Sequence, residues 1–537
     1  MIKKLLLSLL ISQSVIVFSQ LPETYDLRDV DGVNYVTSVK SQEGGTCWTH
    51  GTMAAMEGNM LITGNWLANG EIGEPALAEY HLDWWNGYNS YYNQDLDPPF
   101  NNGQGLDVHM GGDYRVVTAY ISRLDGTVRE IDGQSYNNPP DFQQEDFHYY
   151  YPMDVEWYTV GPNLENLDLI KQKVIDYGVM AICMCYSSQF MSGLNHYQPP
   201  TSNLEPNHSV SIVGWDDNHV TQAPEVGAWL IKNSWGSDWG DDGYFWISYY
   251  DKQACQNPEM GAVSFIDVDI IDWDTAYYYD YHGWRDTLLN VNEAFNAFIA
   301  AEDEAIVAVN FFTAETDVNF TVKIYDGFDG NEFIDELSTE SGYIEHSGLH
   351  TIMLTDTARI FKDDDFYVYL ELDKGGFAYD RTSEVPVLLG ASARVIVPST
   401  ADAGQSFYKL DDEWLDFYDY FDPSFFQRTG NICIKAIAIH DPTLAIETNV
   451  NDDLNFNISP NPFTTNVNLS FSLEKYAQAR IQVFSADGKL VYSSNMIPSY
   501  DGKINQSLDL SNQKSGFYFV NVEIDGKPSL SKKIIKY

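Results

Sequence analysis

The chain has 537 residues, with 30 Lys and Arg against 78 Asp and Glu, a formal charge of −48 and 44% apolar residues. That length exceeds what one hydrophobic core serves, so two to four domains are expected. The acidic balance opposes binding to phosphate backbones or anionic membrane surfaces, which sets nucleic-acid partners aside.

The first segment, MIKKLLLSLLISQSVIVFSQ, opens with Lys3 and Lys4, continues through an apolar run from Leu5 to Leu10, and reaches small Ser19 with Val17 two residues before it. This is the pattern of a secretory signal cut after Ser19, so residues 1–19 are read as a signal peptide. Ser12, Gln13 and Ser14 break the apolar run, and no other segment offers about 18 unbroken apolar residues, so no transmembrane span is predicted. Five cysteines in an exported chain are too few for a disulfide scaffold, and the odd number leaves at least one thiol unpaired within the chain.

Residues 20 to 262 mix helical patterns with strands. In QEGGTCWTHGTMAAMEGN (42–59), Thr46 is the predicted N-cap, and Trp48, Thr52, Met56 and Met60 recur at helical spacing until Gly64 stops the helix. Cys47 then lies in the first turn, where unpaired backbone N–H groups and the helix dipole favour a thiolate. In VHMGGDYRVVTAY (108–120), the missing side chains of Gly111 and Gly112 let two backbones approach closely; an ordinary turn explains the pair equally well. VMAICMCY reads as a strand that puts Cys183 and Cys185 on one face, poorly placed to bond each other. With Cys433 in NICIKAIAI they are read as buried structural thiols.

NHSVSIVGWDDN (207–218) sets His208 at the mouth of an apolar strand, and GAWLIKNSWGSDWGDDGYFWISY (227–249) sets Asn233 at the end of another. These residue types suit acyl transfer. A thiolate attacks the acyl carbon, an imidazole protonates the leaving amine, and an amide oxygen fixes the ring. His50 and His109 are rival imidazoles, for which surface or core roles fit better: His50, three residues along the helix from Cys47, lies on a neighbouring face.

Taken together, LPETYDLRD, QEGGTCW, NHSVSIVGW and KNSWGSDWGDDGYFWISY resemble the papain family (C1) of cysteine peptidases over residues 21 to about 250. The resemblance implies a two-lobed α+β domain, with Cys47 as nucleophile, His208 as general acid/base and Asn233 as orienter. It makes Gln42 the oxyanion donor beside the Cys47 N–H, and has Trp235 shield the His–Asn bond from water. It also implies that the backbone of Gly111 and Gly112 pairs with an extended substrate. Two departures stand out. Gln42 precedes the nucleophile by five residues where the family pattern has six, and Gly44 stands where that pattern places a disulfide-forming cysteine. No room is left for an inhibitory pro-segment between the signal and LPETYDLRD, so restraint is expected from elsewhere, with the C-terminal module the first choice.

From about 263 to 442, VNFTVKIYD (318–326), DFYVYLELD and ARVIVPS alternate apolar and polar residues with turn-rich gaps and no long helix, which predicts a β-sandwich. This region resembles the lectin-like sandwich that follows papain-like domains in some exported prokaryotic proteins. Trp414 and Tyr418 offer faces for sugar rings, although core packing accounts for most of the aromatic content. The acid-rich DDDF (363–366) and YDGFDGNE (325–332) do not fit the EF-hand calcium loop and read as solvated loops.

After a polar linker at 443–455, the last 81 residues hold nine Lys or Arg and six Asp or Glu, a surplus of +3 in a chain of −48. The change of sign marks a separate module. VNLSFSL, ARIQVFS and GFYFVNVEI, with turns at Asp487-Gly488 and Asp525-Gly526, predict a small Ig-like β-sandwich. Residues 456–537 resemble the C-terminal sorting domain of the type IX secretion system, which implies a Gram-negative host of the Bacteroidetes type and a secreted or surface address.

The resulting expectation is a secreted multidomain cysteine endopeptidase: signal 1–19, peptidase 20–262, lectin-like sandwich 263–442 and sorting domain 456–537. It would act on proteins or peptides through an acyl-enzyme, with no metal or organic cofactor. Two other readings are a surface carbohydrate-binding adhesin with a silent papain-like domain, and a thiol-dependent acyl or isopeptide transferase, since water and amines accept from the same acyl-enzyme.

Overall fold

The computed structural model describes residues 21–385, 389–390, 395–422 and 427–440. Within 457–536 it describes all but 461–462, 473–478, 486–488, 497–502, 515 and 525–526. The signal, the linker and the two expected Asp-Gly turns lie outside the described residues. The chain forms two compact units, the larger holding residues up to 300 and 306–439, the smaller residues 440–537 with a short stretch at 301–305.

In the larger unit, the helix Cys47–Thr63 begins and ends as its sequence predicts. Thr46 precedes it, and Gly64, at φ 78°, closes it by donating its N–H to Met60 O. Thr46 does not cap with its side chain, whose hydroxyl donates to Glu43 O instead. Every residue from Cys47 to Met60 is buried, so this helix is a core element wrapped on all sides. Two glycines allow that. A Cβ at Gly51 would sit 2.2 Å from Ser209 Oγ, and one at Gly58 would sit 2.5 Å from Val179 Cγ2. Around this helix pack the shorter helices Glu79–Trp85 and Tyr114–Ser122, the latter capped by Asp113, whose carboxylate accepts from Val116 N at 2.8 Å.

A 13-stranded sheet runs past that helix. Its order begins Thr275–Tyr277, Ile434–His440, Glu304–Thr313, Gly348–Ile360, Tyr150–Tyr158, Ala262–Ile270. It continues Met180–Met184, His208–Asp216, Ala228–Lys232, Tyr244–Ser248 and ends in the short pair Asn195–His196 and Met191–Ser192, with Thr24–Asp26 added along His208–Asp216. One sheet therefore serves both the peptidase-like half and the sandwich that follows. The expected border at 262/263 falls at the start of the strand Ala262–Ile270. Where Gly348–Ile360 meets Tyr150–Tyr158, Asn310 Nδ2 donates to Tyr151 Oη and to Thr351 Oγ1, both at 2.9 Å, while its Oδ1 is buried without a partner.

The second sheet of the sandwich has six strands, ordered Phe333–Ile344, Val318–Phe328, Asp365–Leu372, Glu293–Ile299, Ser406–Leu410 and Glu413–Asp416. Val318, Phe320, Val322 and Ile324 all point into the core, as their alternation predicts. Trp414 is half-buried against Phe295, at a ring separation of 4.9 Å, and Phe333, at 5.5 Å, which favours the packing role over sugar stacking. In the smaller unit, a three-stranded sheet (Asn457–Ser459, Asn466–Ser472, Lys503–Asp509) and a four-stranded one (Leu490–Met496, Ala479–Ser485, Gly516–Ile524, Lys527–Lys536) enclose Val467, Leu469, Ile481, Val483, Leu508 and Val520. The three strands expected here all form.

Asn59 ties the central helix to its surroundings: its Nδ2 donates to Tyr177 O at 3.1 Å, and its Oδ1 accepts from Val268 N at 2.9 Å. Asn59→Ala removes both bonds and leaves a buried N–H and C=O unpaired, at a cost of about 2–4 kcal/mol. A lowered melting temperature, read by circular dichroism, is the expected result.

Candidate active site

The helix that begins at Cys47 and the strand that begins at His208 pass close together. Gly51, one turn after Cys47, lets the helix lie directly on Ser209, the residue next to His208. The Cys47 sulfur is faced by three backbone N–H groups, those of Ser209, Trp48 and Cys47 itself. Ser209 is held in turn by Tyr114, whose hydroxyl lies 2.6 Å from Ser209 Oγ and donates to Ile182 O at 2.7 Å.

The imidazole of His208 is oriented by Asn233. Nε2 donates to Asn233 Oδ1 at 2.8 Å, which assigns the tautomer and makes Nδ1 the nitrogen free to exchange a proton. The same Oδ1 accepts from Ser234 N at 2.9 Å, so the amide is fixed by its own turn. Trp235 stacks on His208 with a 4.5 Å ring separation and a 21° tilt, and is itself held edge-on by Tyr186 and Trp239. Asn233 Nδ2 is buried without a hydrogen-bond partner.

The electrostatics differ from the sequence expectation. The first-turn N–H groups do favour a thiolate, but Cys47 is only 1% exposed, and burial pushes its thiol up to about 12. Burial likewise holds His208 down to about 4, against the opposing effect of the Asn233 bond. The dipole expectation left desolvation out, and desolvation is the larger effect. Neither charge is stable alone in this cleft.

Gln42 lies on the turn before the helix. Its N–H donates to Ser234 O at 2.8 Å, its Oε1 accepts from Ser234 Oγ at 2.7 Å, and its Nε2 donates to Gly44 O at 3.0 Å. The shortened turn is made by Gly44 at φ 64° and by Gly45, where a Cβ would meet His109 O at 2.9 Å. Gly111, at φ 101°, and Gly112 follow Met110, which bridges Gly45, and a Cβ at Gly112 would meet the Trp48 ring at 2.7 Å. His50 and His109 have other partners: His50 Nδ1 is 2.9 Å from Thr46 O, and His109 pairs with Asp83 and stacks on Tyr136. All five cysteines are free and buried.

Sequence reasoning missed a buried ionic cluster behind the site. Lys40 Nζ contacts Glu57 Oε1 and Glu79 Oε1, both at 2.7 Å, and Lys232 Nζ donates to Thr37 Oγ1 at 2.9 Å. Thr37 Oγ1 donates to Glu57 Oε2 at 2.7 Å, which joins the groups into one network. Burial brings the Lys232 ammonium down to about 8. Lys232 precedes Asn233, so this network sets the position of the strand end that carries the amide. Lys232 within an apolar strand was the available signal. Among the described residues, Asp95, His282 and Asp380 form the group with spacing suited to a cation. Hydrogen bonds already occupy these atoms: Asp95 with Ser399 and Thr400, His282 with Ser399 and Gly87 O, Asp380 with Asn431 N.

Three regions of the chain match family models: residues 111–264 the papain family cysteine protease, 276–438 a lectin-like domain, and 457–537 a secretion system C-terminal sorting domain. The first match includes His208, Asn233 and Trp235 and starts after Cys47 and Gln42. The chain is 28% identical to the viral cathepsin of Adoxophyes honmai nucleopolyhedrovirus over 253 residues, 47% of this chain and 64% of that protein. It is 28% identical to procathepsin L of Rattus norvegicus over 240 residues, 43% of this chain and 61% of that one, so it spans less than two thirds of either relative. In fold, it matches the clostridial cysteine protease Cwp84 after propeptide cleavage with a TM-score of 0.61 at 22% identity, covering 78% of this chain and 99% of that one. The cysteine protease and lectin-like domains of Cwp84, a surface layer associated protein of Clostridium difficile, match with the same score at 21% identity, over 79% and 90% of the two chains. The chain therefore unites a papain-family cysteine protease domain with a lectin-like domain and a secretion-system C-terminal sorting domain.

Proposed function

We propose that the chain is an exported cysteine endopeptidase that cleaves protein or peptide substrates through an acyl-enzyme at Cys47. The observation that carries this reading is the His208–Asn233 bond, set beside a sulfur that the neighbouring Ser209 N–H already addresses. In the first step His208 Nδ1 takes the Cys47 proton as sulfur attacks the substrate carbonyl carbon. The imidazolium then protonates the leaving amine and a thioester forms. In the second step the neutral ring takes a proton from water, which attacks the thioester, and the thiol is restored as the acid leaves. The Cys47 N–H and the Gln42 amide act as the oxyanion donors, once Gln42 Nε2 exchanges its Gly44 carbonyl for the substrate oxygen. Trp235 keeps water from the Asn233 bond, and Gly111 and Gly112 pair with substrate backbone. These side chains complete the chemistry without a metal or organic cofactor.

The sorting domain supports export across the outer membrane of a Gram-negative cell by type IX secretion, following a signal peptide at residues 1–19. Export machinery is thus the second partner, beside the substrate.

Two measurements test the site. Because the thiol sits near 12 and the imidazole near 4, the pair holds one shared proton across the interval between them, and the fraction present as an ion pair does not change with pH there. Iodoacetamide alkylation of Cys47 should therefore level off toward low pH, near pH about 5, where the ion pair outweighs the thiolate formed by proton loss to solvent. In His208→Ala the thiolate forms only by losing its proton to solvent, and the rate should climb about tenfold per pH unit. A wild-type rate that climbs in the same way removes His208 as the proton acceptor. On a fluorogenic peptide, Cys47→Ser should abolish turnover. Asn233→Ala should lower kcat by about 10- to 100-fold with KM little changed, because only the ring's orientation and charge are affected.

A further inference from the structure

The cleft between Gly112 and His208 is already filled by this chain. Leu389, from the lectin-like region, forms an antiparallel bridge with Gly112: Leu389 N donates to Gly112 O at 3.0 Å, and Gly112 N donates to Leu389 O at 3.4 Å. The next residue, Gly390, donates its N–H to Asn207 O at 3.0 Å, directly before His208. Asn207 is clamped for this, with Tyr186 N donating to its Oδ1 at 2.7 Å and its Nδ2 donating to Tyr186 O at 3.1 Å. Leu389 is fully buried in the same apolar cluster as Cys47 and Trp48. This is extended-strand addition of the kind that recognises peptides, with backbone bonds for affinity and a pocket for alternate side chains.

Gly390 differs from an ordinary substrate residue. Its φ is +89°, a conformation that L-residues rarely adopt, and a Cβ there would meet Gly45 O at 2.5 Å and Gly45 Cα at 2.8 Å. The oxyanion donor also faces elsewhere, since Gln42 Nε2 is bound to Gly44 O. The segment thus takes the backbone seat of a substrate in a conformation that a chain of L-residues does not follow.

We propose that Leu389–Gly390 is a built-in competitor for the substrate cleft, which the lectin-like domain holds across the peptidase site and which substrate must displace. The proposal rests on the peptidase reading above and adds its regulation. The cleft is then open in only a fraction of molecules, and weakening the strap returns apparent affinity by the inverse of that fraction, about 10- to 100-fold for an open population of about 1–10%.

The test compares full-length wild type with Leu389→Asp and Gly390→Ala, each checked for folding by its melting curve. The readouts are fluorogenic-peptide kinetics, the rate of Cys47 labelling by a peptidyl epoxide, and intact mass. The expected result is a fall in KM with kcat little changed, faster labelling in both variants, and no cut after Gly390. Faster labelling with no turnover in any form upholds the strap and rejects the peptidase reading. Turnover with equal KM and equal labelling rates rejects the strap and leaves the peptidase reading standing. A chain cut after Gly390 also overturns the proposal, because the segment is then a substrate. If neither variant folds, peptide-resolved hydrogen exchange on wild type decides. Amides 389–390 should be protected in the free protein and exposed in the epoxide adduct, and protection unchanged by the adduct rejects the strap.

Discussion

The site depends on one contact distance: the helix that carries Cys47 lies so close to the strand that carries His208 that only glycine fits at position 51, against Ser209. The distance between packed elements is set by the side chains that lie between them. With none at Gly51, the first turn of the helix comes down beside the strand mouth, and the Ser209 N–H reaches the Cys47 sulfur. The rest of the larger unit holds that approach in place. Gly58 allows a second close approach two turns on, Asn59 bonds the helix to the strand Ala262–Ile270, and Tyr114 fixes Ser209 from the other side.

Close packing also decides the electrostatics. A site this dry disfavours any single charge, and burial holds both the thiol and the imidazole toward their neutral forms. The nearby Lys40, Glu57, Glu79 and Lys232 solve the same problem differently, by sharing their charges within a hydrogen-bonded network. That network anchors the strand ending at Asn233. The residue that orients the ring is thus rooted in a rigid ionic base, although its Nδ2 has no partner of its own.

Much of this was legible in the sequence because it is local. The spacing of Trp48, Thr52, Met56 and Met60 marks a helix, the alternation from Val318 to Ile324 marks a strand, and Gly64 marks a stop; each follows from backbone geometry over a few residues. The types and order of Cys47, His208 and Asn233 suggested thiol acyl transfer, the reading proposed above. What could not be read is long-range. The sheet passes from Tyr150–Tyr158 to Gly348–Ile360 through a pairing across nearly 200 residues, and nothing in either segment names the other. The same holds for Leu389 and Gly112. The raised Cys47 thiol was missed because the helix dipole can be read from position, whereas burial depends on the whole fold.

The shared sheet bears on how the protein can be divided. A chain ended at the border between the peptidase and lectin-like regions would strip Tyr150–Tyr158 of Gly348–Ile360 and of most of Ala262–Ile270, and bare a row of backbone N–H and C=O groups in a largely apolar sheet. Such rows template pairing with other molecules, so the catalytic half expressed alone would be prone to aggregate, and the lectin-like half acts as its cover as much as a neighbour.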